Sequence, residues 1–153
     1  MDPNGASTCI KVVSFVRGYH AYVDIWEPEI GEKRQLKREP SNIEDINAVA
    51  VVREKAGNAG NTDHTERKND VHPNQVTTNE EVIGHVPRLM ACAVTKFLKR
   101  GTNSGHLEVT GKRVNRGAGY GLEIPCVYQF TGDRSSCKWL KTKLEICGYE
   151  VQI

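Results

Sequence analysis

Arg38-Glu39-Pro40-Ser41-Asn42-Ile43-Glu44-Asp45-Ile46-Asn47-Ala48-Val49 runs directly into Ala50-Val51-Val52-Arg53. Its first half reads as a turn, because Pro40 fixes its own φ and Ser41 and Asn42 favour turn geometry. Its second half, Asn47 to Arg53, is β-branched and apolar, the composition of a strand. Working back, Lys33 to Arg38 forms a short strand that returns from a turn at Pro28 and Gly31. Tyr19 to Trp26 alternates, with Ala21, Val23 and Ile25 on one face and His20, Tyr22, Asp24 and Trp26 on the other. That period of two predicts a strand. Cys9 to Val16 reads as a buried strand closed by Arg17-Gly18, and residues 1–8 as a disordered lead-in.

Working forward, the composition changes at Glu54. As far as Glu80, only Ala56, Ala59, Val71 and Val76 interrupt a polar run. Such a segment buries too little apolar area to offset its ordering entropy, so it reads as a mobile insertion. Glu81 to Val86 is a strand, and Pro87 opens a helix reaching about residue 100. Leu89, Met90, Ala93, Val94, Phe97 and Leu98 recur at helical spacing, and Gly101 stops it. His106 to Val114 alternates, with Leu107 and Val109 inward. Lys112, Arg113 and Arg116 surround a glycine-rich turn that lacks the Lys-Ser/Thr of a phosphate loop and precedes a strand, so it reads as a hairpin. Gly121 to Phe130 is that strand, with Pro125 marking an edge or bulge. Asp133 caps a last helix through Cys147, with Cys137, Leu140, Leu144 and Cys147 as its buried stripe. After Gly148, Tyr149 to Ile153 returns as a short strand. The fold class is α+β, mainly β: a small antiparallel OB-like barrel with two helices, in a single domain over 9–153 carrying the insertion at about 54–80.

The totals narrow the function. A chain of 153 residues suits one domain and buries about 70% of the surface its unfolded form exposes. A net charge of +2 is too mild to diagnose nucleic-acid binding by itself. No run approaches the roughly 18 to 20 apolar residues of a membrane span. Met1-Asp2-Pro3-Asn4-Gly5 lacks the basic and apolar regions of a secretory signal, so an intracellular protein is expected. The five cysteines are odd in number, widely spread and without Cys-x2-4-Cys spacing, so reduced thiols, no metal and no cofactor are expected. Catalysis is not expected either. Gly-x-Ser-x-Gly is absent, and Glu44 and Asp45 are adjacent rather than facing.

A single-stranded nucleic-acid site needs aromatic platforms for bases and cations or amides for phosphates. Tyr22, Trp26 and His20 on the outward face of the 19–26 stretch offer the platforms; the equal alternative is that Trp26 covers the barrel mouth as core. His85 and Arg88 flank the helix start at Pro87, where unpaired N–H groups attract an anion. As a phosphate clamp they compete with a plainer reading as surface or structural residues.

The stretch from Arg38 to Val49, followed later by Ile83-Gly84-His85-Val86-Pro87, resembles the HIRAN domain. The family pattern is an Arg-Glu/Asp-Pro turn, then Asn, Asp and Asn-Ala-Ile/Val entering a strand. After a variable loop comes Val/Ile-Gly-His/Tyr-aliphatic-Pro/Lys. The resemblance covers about residues 12 to 151 without the insertion. It implies a modified OB-like barrel with two helices, found in translocases of DNA-damage tolerance and as stand-alone proteins, and hence a nuclear location. It also implies a partner, single-stranded DNA gripped at its 3′ end. Asn42 and Asp45 match residues lining the end pocket, Asp45 matching the acid that meets the 3′-hydroxyl. His85 and Arg88 match a histidine and a lysine near the terminal phosphates. Asp24-Ile25-Trp26 stands where end-binding members have Arg-Tyr-Tyr, Glu44 where they have a stacking Tyr, and Leu122 where they have a Phe. Each lost stack is worth about 1–3 kcal/mol, and the acids at Asp24 and Glu44 favour the alternative function, a protein-interaction or targeting module on the same barrel.

Overall fold

The computed structural model describes residues 7–55, 74–115 and 121–153, without the His20 side chain. The longest strand organises the sheet. β7 (Leu122–Gly132) pairs antiparallel with β1 (Thr8–Val16), from Thr8↔Gly132 to Val16↔Ile124. On its other side it pairs with β5 (Ser104–Val109), from Ser104↔Thr131 to Val109↔Cys126. Beyond β5 come β2 (Lys33–Arg38), β3 (Val49–Glu54) and β4 (Glu80–His85), giving the order β4-β3-β2-β5-β7-β1-β8. The two-residue β8 (Val151–Gln152) flanks β1, and β6 (Val114–Asn115) pairs with the start of β7. The glycine-rich turn read as a hairpin is flanked by this pairing, and its residues 116–120 lie outside the described residues.

Pro125 sits inside β7 rather than at an edge, and the ladder explains why it is tolerated. Its carbonyl accepts the Thr110 N–H at 3.0 Å, on the β5 side. In an antiparallel ladder the N–H and C=O of one residue point the same way. The missing donor therefore faces the flank where β5 has ended, and β1 loses no hydrogen bond.

Alternation then builds the core. Ile10, Val12 and Val16 of β1 and Ile124, Cys126, Tyr128 and Phe130 of β7 are buried. α1 (Arg88–Leu98) covers them with Met90, Val94, Phe97 and Leu98, and α2 (Arg134–Ile146) with Cys137, Leu140 and Leu144. Asp133 caps α2 as read, accepting the Ser136 N–H at 3.1 Å. No described helix is long and apolar enough to cross a membrane. The five cysteines are free thiols, and burial pushes that of Cys126 up to about 12.

Four further readings need correction. Tyr19 to Trp26 is not a strand: Gly18, at φ +76°, turns the chain into a 3-10 turn over Tyr19–Ala21, and a further turn brings the Trp26 N–H onto the Tyr22 carbonyl at 3.0 Å. The signal was available, because Tyr19, Tyr22 and Trp26 recur at three and four residues, a helical spacing. Leu89 leaves the buried stripe of α1 and is 62% exposed. β1 already begins at Thr8, inside the stretch read as a lead-in, of which residues 1–6 lie outside the described residues.

The fourth concerns the insertion, of which residues 56–73 lie outside the described residues. Its far end is structural. Arg38 donates its N–H to the Asn74 carbonyl at 2.6 Å, and Val76 donates to the Arg38 carbonyl at 3.1 Å. Asn74 is 7% exposed, and its amide donates to the carbonyls of Leu98 at 2.9 Å and Asn103 at 2.8 Å. It thereby satisfies an orphan carbonyl at the end of α1 and ties it to the turn before β5. Composition missed this because one well-placed polar residue does not register in a hydropathy average.

Candidate nucleic-acid interface

The ladder leaves β4 and β1 unjoined except at one place. Arg17, just past β1, donates its N–H to the His85 carbonyl at 2.8 Å and accepts the His85 N–H at 3.1 Å. That single bridge delivers the end of β4 to the rim of the barrel, where Val86-Pro87 leads into α1. Pro87 is the N-cap of α1 and makes no side-chain cap, so the helix start keeps free N–H groups at this rim.

The turn after β2 comes to the same place. Asn42 Oδ1 accepts the N–H groups of Glu44 at 2.9 Å and Asp45 at 3.1 Å. Asp45 Oδ1 in turn accepts the Asn47 N–H at 2.9 Å. These Asx turns fold the loop back so that Asp45 Oδ2 stands 3.8 Å from Arg88 Nε. Asp45 thus satisfies local backbone with one oxygen and faces the helix start with the other. Arg88 is 77% exposed and only loosely held, as an exposed ion pair permits.

Glu39 joins the two halves and is the site residue not singled out from sequence, although it stands within the Arg-Glu-Pro turn. Its Oε1 lies 2.7 Å from His85 Nε2 and 3.3 Å from Asn42 Nδ2. The His85 hydrogen bond is the chief cause holding the Glu39 carboxyl below the usual carboxylate range, with burial pulling the other way. Tyr22 closes the row, its ring 6.2 Å from that of His85, and burial, then Glu39, raises its hydroxyl. Tyr22, His85, Asn42, Asp45 and Arg88 therefore meet on one rim.

Trp26 does not join them. It is 2% exposed, stacked edge-on to Tyr19 at 5.9 Å, and its Nε1 donates to Glu32 at 2.9 Å. A ring spent in this way offers no face to a base, so the core alternative holds and the platform reading is corrected. Asp24 and Glu44 are exposed near the rim, and Leu122 packs against the core. Ile25, Ile43 and Ile46, exposed at 45%, 96% and 69%, supply apolar surface instead of rings.

A neighbouring groove was not legible in the sequence at all. β1 is flanked by β8 at Lys11 and Val12 and bridged to β4 at Arg17, but between them its outer edge faces no described strand. A groove of about 710 Å³ opens there, lined by Val13, Phe15, Arg17, Arg88, Leu89 and Tyr149. Arg88 stands on both rims.

The acid limb of stability should report on Glu39. A carboxyl with a lowered folded-state pKa stabilises the fold above its unfolded value, roughly 4.3, and that contribution is lost as pH falls through the folded value. Glu39→Gln keeps an acceptor for His85 and cannot titrate. The gap in Tm between wild type and Glu39→Gln is expected to be widest near neutrality and to shrink below about pH 4.3. A gap that stays constant from neutral to acid pH would show that Glu39 gains nothing from His85.

No family model matches the chain, and neither does any curated protein. Two solved structures do. The crystal structure of the HIRAN domain of human HLTF is similar at 20% identity, with 97% of this chain and 98% of that one covered and a TM-score of 0.62. The NMR structure of the HLTF HIRAN domain is similar at 20% identity, with 92% and 93% covered and a TM-score of 0.52. This chain therefore has the HIRAN-domain fold, an OB-like antiparallel sheet with two helices.

Proposed function

We propose that this HIRAN-fold chain is a binding module for nucleic acid, specifically for the 3′ end of a single strand, and that it carries out no reaction on it. One observation carries the reading: an acceptor and a cation, Asp45 and Arg88, 3.8 Å apart on an exposed rim at a helix N-terminus. A terminal hydroxyl needs an acceptor, and the phosphate next to it needs a cation and N–H donors. His85 adds a ring beside the phosphates, Tyr22 a partial platform, and Asn42 the turn that aims Asp45.

The test is a titration with short labelled single strands ending in 3′-hydroxyl or 3′-phosphate. Wild type should prefer the hydroxyl. Asp45→Asn keeps the acceptor for the Asn47 N–H but removes the charge, so it should narrow that preference without lowering general affinity. Arg88→Glu should weaken binding to either end about tenfold or more and lower the salt slope by about 0.7. Wild type that binds no single strand at low salt would reject the reading. A protein-interaction module would then take its place, favoured by the exposed Ile25 next to Asp24 and the exposed Ile43 next to Glu44.

A further inference from the structure

The modest total charge hides a strong segregation. Residues 87–100 and 133–147, the two helices with their caps, hold eight Lys and Arg against two carboxylates, a net +6. The whole chain carries +2, so the remainder carries −4. Helix-dipole complementarity accounts for cations in the last turns, such as Lys96 and Lys143. It does not account for Arg88 and Arg134, which begin their helices, or for Lys138 in mid-helix. Seven of the eight cations are exposed; Lys141 is half-buried and paired with Glu145 at 2.8 Å.

The helices are placed so that these charges join. Arg100, past the end of α1, lies 3.3 Å from Ser136 Oγ and 3.6 Å from Asp133, at the start of α2. Cys147, past the end of α2, reaches the Leu89 carbonyl near the start of α1. The helices thus lie antiparallel, and the cationic layer begins at Arg88, on the rim described above. A second observation points to the kind of polyanion. Trp139 is 37% exposed, with Lys143 Nζ 5.9 Å from its ring centre. It lines a groove of about 570 Å³ with Arg134, Ser135, Lys138, Thr142 and Lys143. An aromatic ring among cations suits bases and phosphates together.

We infer that the α1–α2 layer is a second nucleic-acid surface, which holds the phosphodiester backbone of a strand longer than the end site can cover and stacks a base on Trp139. The layer deepens the proposed reading, since Arg88 belongs to both surfaces, and can be tested apart from it. Labelled oligothymidylates of about 4 and about 16 nucleotides separate the two, because only the longer reaches beyond the rim. Wild type should bind the longer at least about tenfold more tightly, beyond the statistical gain in sites. Lys138→Glu/Lys143→Glu should erase that gain and lower the salt slope by about 1.4, leaving the short strand and its end preference unchanged. Trp139→Ala should remove part of the gain, and the long strand alone should quench Trp139 fluorescence.

A length gain that survives in the double variant overturns the inference. So does a wild type that binds the short strand by its end with no gain from length, although the end site would then stand. Binding of the long strand alone, lost in the double variant, supports the layer and rejects the end site. If polyglutamate binds the layer as tightly as the long strand does, the surface takes acidic protein, and the nucleic-acid assignment falls.

Discussion

Gly84→Ala should lower stability by about 3 kcal/mol, near the upper end of what overpacking a closed core costs. A Cβ at Gly84 would overlap Cγ1 of Val16 and lie 3.7 Å from the Arg17 carbonyl. Val16 is fully buried and cannot swing into solvent. The glycine is there because β4 must pass the end of β1 at close range for Arg17 and His85 to exchange their two hydrogen bonds. A urea titration measures the cost, and Val16→Ala supplies a control. The double variant should be less destabilised than the two single costs added together, by about 1–2 kcal/mol, because the new methyl occupies the space that valine vacates. Strict additivity, or a Gly84→Ala midpoint equal to wild type, would show that the two strands do not meet as described.

Asn74→Ala is the other large effect, expected at about 2–3 kcal/mol. It leaves the buried carbonyls of Leu98 and Asn103 without their donor, at the end of the helix whose start carries Arg88. Asn74→Asp should be worse than alanine, since it sets an acceptor against acceptors. Replacing residues 56–73 with a short glycine–serine linker should move the urea midpoint far less than either point change. A linker variant as unstable as Asn74→Ala would mean that the replaced stretch matters to the fold as much as Asn74 does.

How far the sequence could be read follows from the kind of signal each element carries. β2 at Lys33–Arg38 and α2 behind Asp133 were legible because turn residues, caps and apolar spacing are local properties. The 19–26 stretch failed because polar and apolar residues alternate there while the aromatic residues follow a helical spacing. Burial of Tyr19 and Trp26 against one core settled the conflict in favour of the second pattern. On the rim, Asn42, Asp45, His85 and Arg88 could be named because they stand in two short motifs. What brings the motifs together, Glu39 against His85 across 46 positions of sequence, is a long-range contact with no local signature. The cationic layer was hidden differently. Its charges are plain in the sequence, but a total of +2 averages them away until the helices are seen lying side by side.

The anchoring on either side of residues 56–73 bears on how such a protein can change over generations. Glu54 is paired with Glu80, Lys55 donates to the Asn79 carbonyl at 2.9 Å, and Arg38 grips Asn74 and Val76. The chain leaves the sheet at Lys55 and re-enters it at Asn74 through contacts made among the described residues. In a flexible loop an added stretch costs the entropy of closing a longer loop, which grows with the logarithm of length, about 0.6 kcal/mol per doubling. If the linker replacement leaves the urea midpoint in place, drift could lengthen, shorten or rewrite the segment while the rim is kept. The same outcome would make it the natural place to splice in a foreign peptide or reporter domain.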